Sequence, residues 1–146
     1  MDLSSLYTEI IAEHNASGRN KRHLEQPDIV EAGRNPSCGD EIALEVKLTA
    51  DGVIADAAFS GVGCAISQAS ASMMIDLVRG KTVAEAQQLI ATFLGMIKRE
   101  ITDEAELEAL DEAVVLKNIA NMPARVKCAV LSWHTLEHAL TAKARS

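Results

Sequence analysis

Between Glu41 and Ser60 the chain alternates apolar and polar residues about a single break. Ile42, Leu44, Val46 and Leu48 fall on one side of an extended segment, with Glu45, Lys47 and Thr49 on the other. Asp51-Gly52 then supplies the left-handed backbone that a tight hairpin turn requires, and Val53 to Ser60 is read as the returning strand. A half-exposed antiparallel hairpin in the first half of the chain is the strongest constraint on the fold. It must be covered on one face, and the sequence before and after it is helical in period. Leu3, Leu6, Tyr7, Ile10 and Ile11 recur at three- and four-residue steps, which predicts a helix from about Asp2 to His14. Ala16-Ser17-Gly18 ends it, Arg19 to His23 form a short basic loop before Pro27, and Asp28 to Ala32 adds a further short strand.

From Cys64 the period becomes helical. Ile66, Ala69, Met73 and Leu77 share a face and Gly80 is the stop; Thr82 with Glu85 forms a capping box that opens a second helix burying Val83, Ala86, Ile90, Phe93 and Ile97. Asp103 with Glu106 starts a third helix, read as burying Leu107 and Leu110 with a solvated acidic face. Pro123 suits the first turn of a last one carrying Val126, Val130, Trp133 and Leu140. No internal repeat or low-complexity linker interrupts this order. The expectation is one α+β domain spanning residues 1–146, a small antiparallel three-stranded sheet with helices packed on one face.

Charge narrows the function. The net charge of −7 is the wrong sign for a phosphate-backbone binder, and 3% aromatic residues leave little for base stacking, so nucleic acid is not an expected partner. The acidic excess sits in Glu100 to Glu112, which holds seven acids and no base. No apolar run approaches the roughly 20 residues of a membrane span, and the acidic start Met1-Asp2-Leu3-Ser4 is unlike a signal peptide, so a cytoplasmic location is expected. Three widely spaced cysteines do not make a disulfide framework.

Each cysteine falls at a junction between elements. Asn35-Pro36-Ser37-Cys38-Gly39-Asp40 leads into the long strand, and in extended chain Cys38 and Asp40 point the same way. Gly61-Val62-Gly63-Cys64 ends the hairpin at a helix N-terminus, where free amides favour a thiolate; Cys128 lies in the second turn of the last helix. Three thiolates and one carboxylate suit tetrahedral zinc, with Arg125, three residues before Cys128, placed to offset charge by pairing with Asp40. The carboxylate is the ligand expected to be displaced. Buried cysteines acting as small hydrophobes account for the same spacing, because no C-x-x-C pair is present. His134 and His138 lack the glutamate of a zinc-binding helix motif and read as solvated, Gly61-x-Gly63 reads as a turn, and Met73-Met74 as core.

Taken together, Leu6-Tyr7 through His14 with Arg19-Asn20, the run Asn35 to Asp40, Gly61 to Ser67 with Ala69 to Met74, and Arg125-Val126-Lys127-Cys128 resemble the U-type iron–sulfur assembly proteins, which comprise SufU, IscU and the N-terminal domain of NifU. Within that family the chain is most similar to the SufU branch. Sixty-three residues separate Cys64 from Cys128, Lys127 stands where IscU-type proteins have histidine, and Asn121 to Lys127 lacks the Leu-Pro-Pro-Val-Lys string that engages a dedicated chaperone. The resemblance implies a SufU/IscU-like fold with zinc on Cys38, Asp40, Cys64 and Cys128 and Arg125 beside it. It implies a sulfur acceptor, Cys38, that takes persulfide sulfur from a SufS-type, pyridoxal-phosphate cysteine desulfurase by ligand exchange, with a SufBCD-type scaffold downstream. The alternatives are an IscU-type scaffold holding iron or a transient Fe–S cluster on the same cysteines, and an interaction domain with inert thiols. Ala16-Ser17-Gly18 departs from the family's usual Asn-Pro before Arg-Asn.

Overall fold

The computed structural model describes residues 3–36 and 39–144, with the side chains of residues 7–36 and 39–143. The element order is α1 (Leu3–Ser17), β1 (Ile29–Asn35), β2 (Asp40–Leu48), β3 (Ile54–Val62), α2 (Ala65–Val78), α3 (Val83–Ile97), α4 (Glu104–Leu107), a 3-10 segment (Glu108–Asn121) and α5 (Pro123–Ala144). The strands form one antiparallel meander in the order β1-β2-β3. Asn35 stands opposite Asp40 at one end of β1, and Glu41 opposite Val62 at the end of β3. Both outer strands are longer than the sequence pattern suggests, because pairing with β2 extends them beyond their own alternation.

Helices cover the face of the sheet that carries Ile42, Leu44 and Val46, and α2 lies at the centre. Its residues Ala69 to Ile75 are all buried, so the helix is enclosed and has no solvated stripe. The four-fold Ala and Ser content of Ala69-Ser70-Ala71-Ser72 lets neighbouring elements approach this closely. Two of the few aromatic residues meet here: Phe93 of α3 and Trp133 of α5 stack at 3.8 Å between ring centres and 6° between planes. The capping box at Thr82 is present, with Thr82 Oγ1 accepting from Glu85 N and Thr82 N donating to Glu85 Oε1.

The acidic stretch departs from the expected regular helix. Asp103 caps the four-residue α4 by accepting from Ala105 N, but the chain then tightens into 3-10 turns and breaks at Asp111, whose φ of 51° and ψ of −129° are non-helical. Beside the break the exposed Glu112 places Oε1 3.0 Å from Nε2 of the buried His14, a contact between residues far apart in sequence. Leu107 and Leu110 are buried as the period requires.

The free edge of β3 is covered by the loop after α1. Phe59 N donates to Asn20 O and Arg22 N donates to Phe59 O, so the segment pairs as a short parallel bridge. Asp56 clamps it from β3: its Oδ1 accepts from Arg22 Nη2 at 2.6 Å and from Arg79 Nε at 3.0 Å. The Arg22 hydrogen bond leads the effects that outweigh burial and hold the Asp56 carboxyl down at about 2. A carboxyl lowered on folding stabilises the native state above its unfolded value of roughly 4, and this contribution disappears as pH falls toward 2. Asp56→Asn is therefore expected to flatten the loss of stability between pH 4 and pH 2 in urea titrations. An unchanged acid limb in the variant contradicts the clamp. No helix among the described residues is long and apolar enough to cross a membrane.

Candidate metal centre

Three of the four residues proposed from sequence as ligands converge where β2 begins, α2 begins and α5 completes its first turns. One Asp40 oxygen and the sulfurs of Cys64 and Cys128 all lie within 4.8 Å of one another. Cys38, the fourth, lies outside the described residues. Asp40 and Cys128 are buried, at 1% and 2% exposure, and Cys64 is half-buried. The centre is thus closed on the core side and reached past Cys64.

Local structure fixes the candidate ligands. Cys64 is the N-cap of α2, with extended backbone (φ −71°, ψ 168°), and its Sγ accepts from Ser67 N at 3.4 Å. A sulfur in that position faces the unpaired amides at the positive end of the helix. Asp40 Oδ1 accepts from Cys64 N at 3.0 Å, which joins β2 to α2 directly through two candidate ligands. Between them Gly63 is packed so tightly that a Cβ there would stand 2.8 Å from Asp40 Oδ1 and 2.3 Å from Ser67 Oγ. Only glycine leaves room for the carboxylate at this point.

The donor set fits a thiophilic divalent cation. Cys sulfur and Asp oxygen are both accepted by tetrahedral zinc, and iron takes thiolates as readily. The strongest observation for a cation is Asp40 Oδ2. This buried oxygen has no hydrogen-bond partner, and a carboxylate oxygen without one is costly unless a cation or donor reaches it.

The pairing of Arg125 with Asp40 read from sequence is not present among the described residues: Asp40 is enclosed beneath the ligands, whereas Arg125 is exposed in the first turn of α5. Its charge is felt instead by Tyr7 of α1. Burial pushes the Tyr7 hydroxyl up, Arg125 draws it down and Cys64 raises it again, which places Tyr7 at the rim of the centre. Sequence reasoning used Tyr7 only as part of a helical stripe. His134 and His138 are exposed and face Glu137 and Glu31, at 3.5 and 3.0 Å, without converging on a common point.

A second cluster lies between α1, α2 and the 3-10 segment. His14, Asp76 and Glu112 bring candidate ligand atoms within 4.8 Å of one another. Their common space is held by Arg19, which donates to Asp76 Oδ2 at 2.8 Å and lies 3.2 Å from His14 Nε2. Burial acts to raise Asp76, yet hydrogen bonds from Arg19 and Asn20 leave it lowered overall. This is a salt-bridged network that docks the acidic segment on α1. Asn20 Nδ2 completes it by donating to Ser72 and Asp76.

The model of the NifU-like N terminal domain matches residues 6–144. The chain belongs to that family. Among the relatives of this NifU-like domain, the iron-sulfur cluster assembly scaffold protein IscU of Thermotoga maritima is 41% identical over 140 residues, covering 96% of each chain. The zinc-dependent sulfurtransferase SufU of Bacillus subtilis is 39% identical, covering 93% of this chain and 90% of that one. In three dimensions the NifU-like fold is similar to a putative iron-sulfur cluster assembly scaffold protein for the SUF system from Fervidobacterium islandicum. That match has a TM-score of 0.85 and 36% identity, over 93% of this chain and 97% of the other.

Proposed function

We propose that this chain is a zinc-bound sulfur acceptor in iron–sulfur cluster assembly, with Cys38, Asp40, Cys64 and Cys128 as the ligands. The observation that carries the reading is the convergence of Asp40, Cys64 and Cys128 with a buried, unpartnered carboxylate oxygen among them. The relative named zinc-dependent sulfurtransferase supports it, as do the long Cys64–Cys128 spacing and Lys127 in the sequence. Zinc, when bound, lowers the pKa of its thiols and so keeps them as thiolates at neutral pH. Cys38, on the segment between β1 and β2, is the thiol assigned to reaction. Its thiolate attacks the outer sulfur of a persulfide on a SufS-type cysteine desulfurase, forming a persulfide on Cys38 and returning the donor cysteine as thiolate. Asp40 stays anchored by Cys64 N, and Arg125 at the mouth offsets the negative charge of an incoming persulfide. A SufBCD-type scaffold is the proposed recipient.

A protein donor suits the surroundings. Of the large exposed apolar side chains, Val62 and Met122 lie just ahead of α2 and α5, the helices that carry Cys64 and Cys128. Such residues are common at contact surfaces between proteins. Incubation with a cysteine desulfurase and cysteine is expected to accelerate alanine release and to add one sulfur atom to the intact mass, both lost in Cys38→Ala. Turnover unchanged by Cys38→Ala in a protein that keeps its zinc rules out the acceptor role. The relatives named IscU favour a second reading, a scaffold on which a cluster is built. Iron, acid-labile sulfide and a brown chromophore in protein purified without oxygen select that reading; about one zinc per chain and no colour select the first.

A further inference from the structure

Asp40 Oδ2 is not the only unsatisfied polar atom beside the centre. Asn35 Nδ2 is buried without a hydrogen-bond partner as well, in a residue only 6% exposed. Asn35 ends β1, Asp40 begins β2, and the two are direct partners in the antiparallel register. Residues directly opposed in such a pair turn their side chains to the same face, with Cβ atoms roughly 4.5–5.5 Å apart. That face carries Ile42 and Leu44 into the core, so Asn35 and Asp40 both point toward the helices. Neither Asn35 Nδ2 nor Asp40 Oδ2 has a partner in this structure, so the two are not hydrogen-bonded to each other here, although their residues are direct neighbours across the β1–β2 pair. Asp40 Oδ1 is already engaged by Cys64 N, which leaves Oδ2 as the carboxylate oxygen still without a partner.

We propose that Asn35 is a positioning residue for the metal centre, whose carboxamide N–H, unpartnered in the metal-free chain, turns to donate to Asp40 Oδ2 when the cation binds and so fixes the carboxylate in the orientation that meets it. The proposal rests on the metal-holding reading above and deepens it. An amide nitrogen cannot ligate a cation through its N–H, but it can hold a ligand that does. Partners that orient metal ligands in this way typically govern affinity by about 10- to 100-fold. The backbone role of Asn35 is separate, since Gly39 N donates to its carbonyl oxygen and any side chain permits that bond.

A positioning role and a structural one give opposite signs in Asn35→Leu, measured on the full chain with zinc competed by a chromophoric chelator. Leucine removes a buried donor that lacks a partner, so the metal-free variant is expected to melt no lower than the metal-free parent. Its zinc affinity is expected to fall about tenfold or more. In an Asp40→Ala background the same change should cost no further affinity, because the ligand it orients is gone. The visible bands of cobalt(II) bound in place of zinc should shift in the single variant. Unchanged zinc affinity, or an equal loss in both backgrounds, overturns the proposal. So does a metal-free variant that melts well below its parent, or fails to fold, with Asn35→Ala behaving alike. A parent chain that binds no zinc at all removes the underlying reading instead, and with it this one.

Discussion

Trp133→Ala will lower the urea midpoint further than any other single truncation in the helical layer, by an amount equivalent to about 3–5 kcal/mol. Trp133 is fully buried, stacked on Phe93, and its Nε1 donates to Ser70 Oγ at 2.9 Å. Ser70 in turn donates to Ala129 O at 2.6 Å, so the ring closes a hydrogen-bonded path between α2 and α5. Alanine leaves a cavity, forfeits the stack and strips Ser70 of its incoming donor. Native domains hold only about 5–15 kcal/mol in total, so this loss takes a large share. It should appear as a fall in melting temperature of about 10–15 °C for a chain of this size. Trp133→Phe keeps most of the stack and loses the donor, and should cost about 1–2 kcal/mol. Because Trp133 is the single tryptophan, unfolding must be followed by circular dichroism. Equal midpoints for the alanine variant and the parent refute the assignment of Trp133 as the keystone between α2, α3 and α5.

What could be read in the sequence was what short-range physics decides. The β2–β3 hairpin was legible because one exposed face forces alternation, and α3 because Thr82 and Glu85 satisfy each other locally. That Asp40, Cys64 and Cys128 come together was anticipated from their sequence settings, although spacing alone did not separate candidate ligands from core cysteines. The misreadings share a cause. The break at Asp111 stands beside the long-range contact of Glu112 with His14, and Arg125 is exposed where Asp40 is buried, neither of which leaves a periodic trace. Asn35 is the sharpest case. An asparagine before proline reads as a turn residue, and only the register with Asp40 reveals a buried donor with nothing to donate to.

Removal of the cation should have an effect comparable to the loss of Trp133. Asp40, Cys64 and Cys128 come from three different elements, so a cation held by them ties the sheet to both α2 and α5, and nothing of the kind exists in the unfolded chain. Zinc at a thousandfold excess over its dissociation constant stabilises the native state by about 4 kcal/mol through mass action. The corresponding rise in melting temperature is about 10–15 °C relative to chelator-stripped protein. Stripping also leaves the Asp40 carboxylate buried beside two thiols with Oδ2 unsatisfied, a local cost that the folded apo chain must bear. Cys128→Ala separates these contributions. The melting temperature of the stripped variant gives the cost of the truncation itself, and the zinc-dependent rise is read from that baseline. The same change removes a ligand from the core side of the centre and should erase most of the zinc-dependent rise. A parent chain whose melting temperature is the same with and without zinc excludes a cation that couples the sheet to α2 and α5. If instead Cys128→Ala retains the full rise, the zinc is bound elsewhere on the chain.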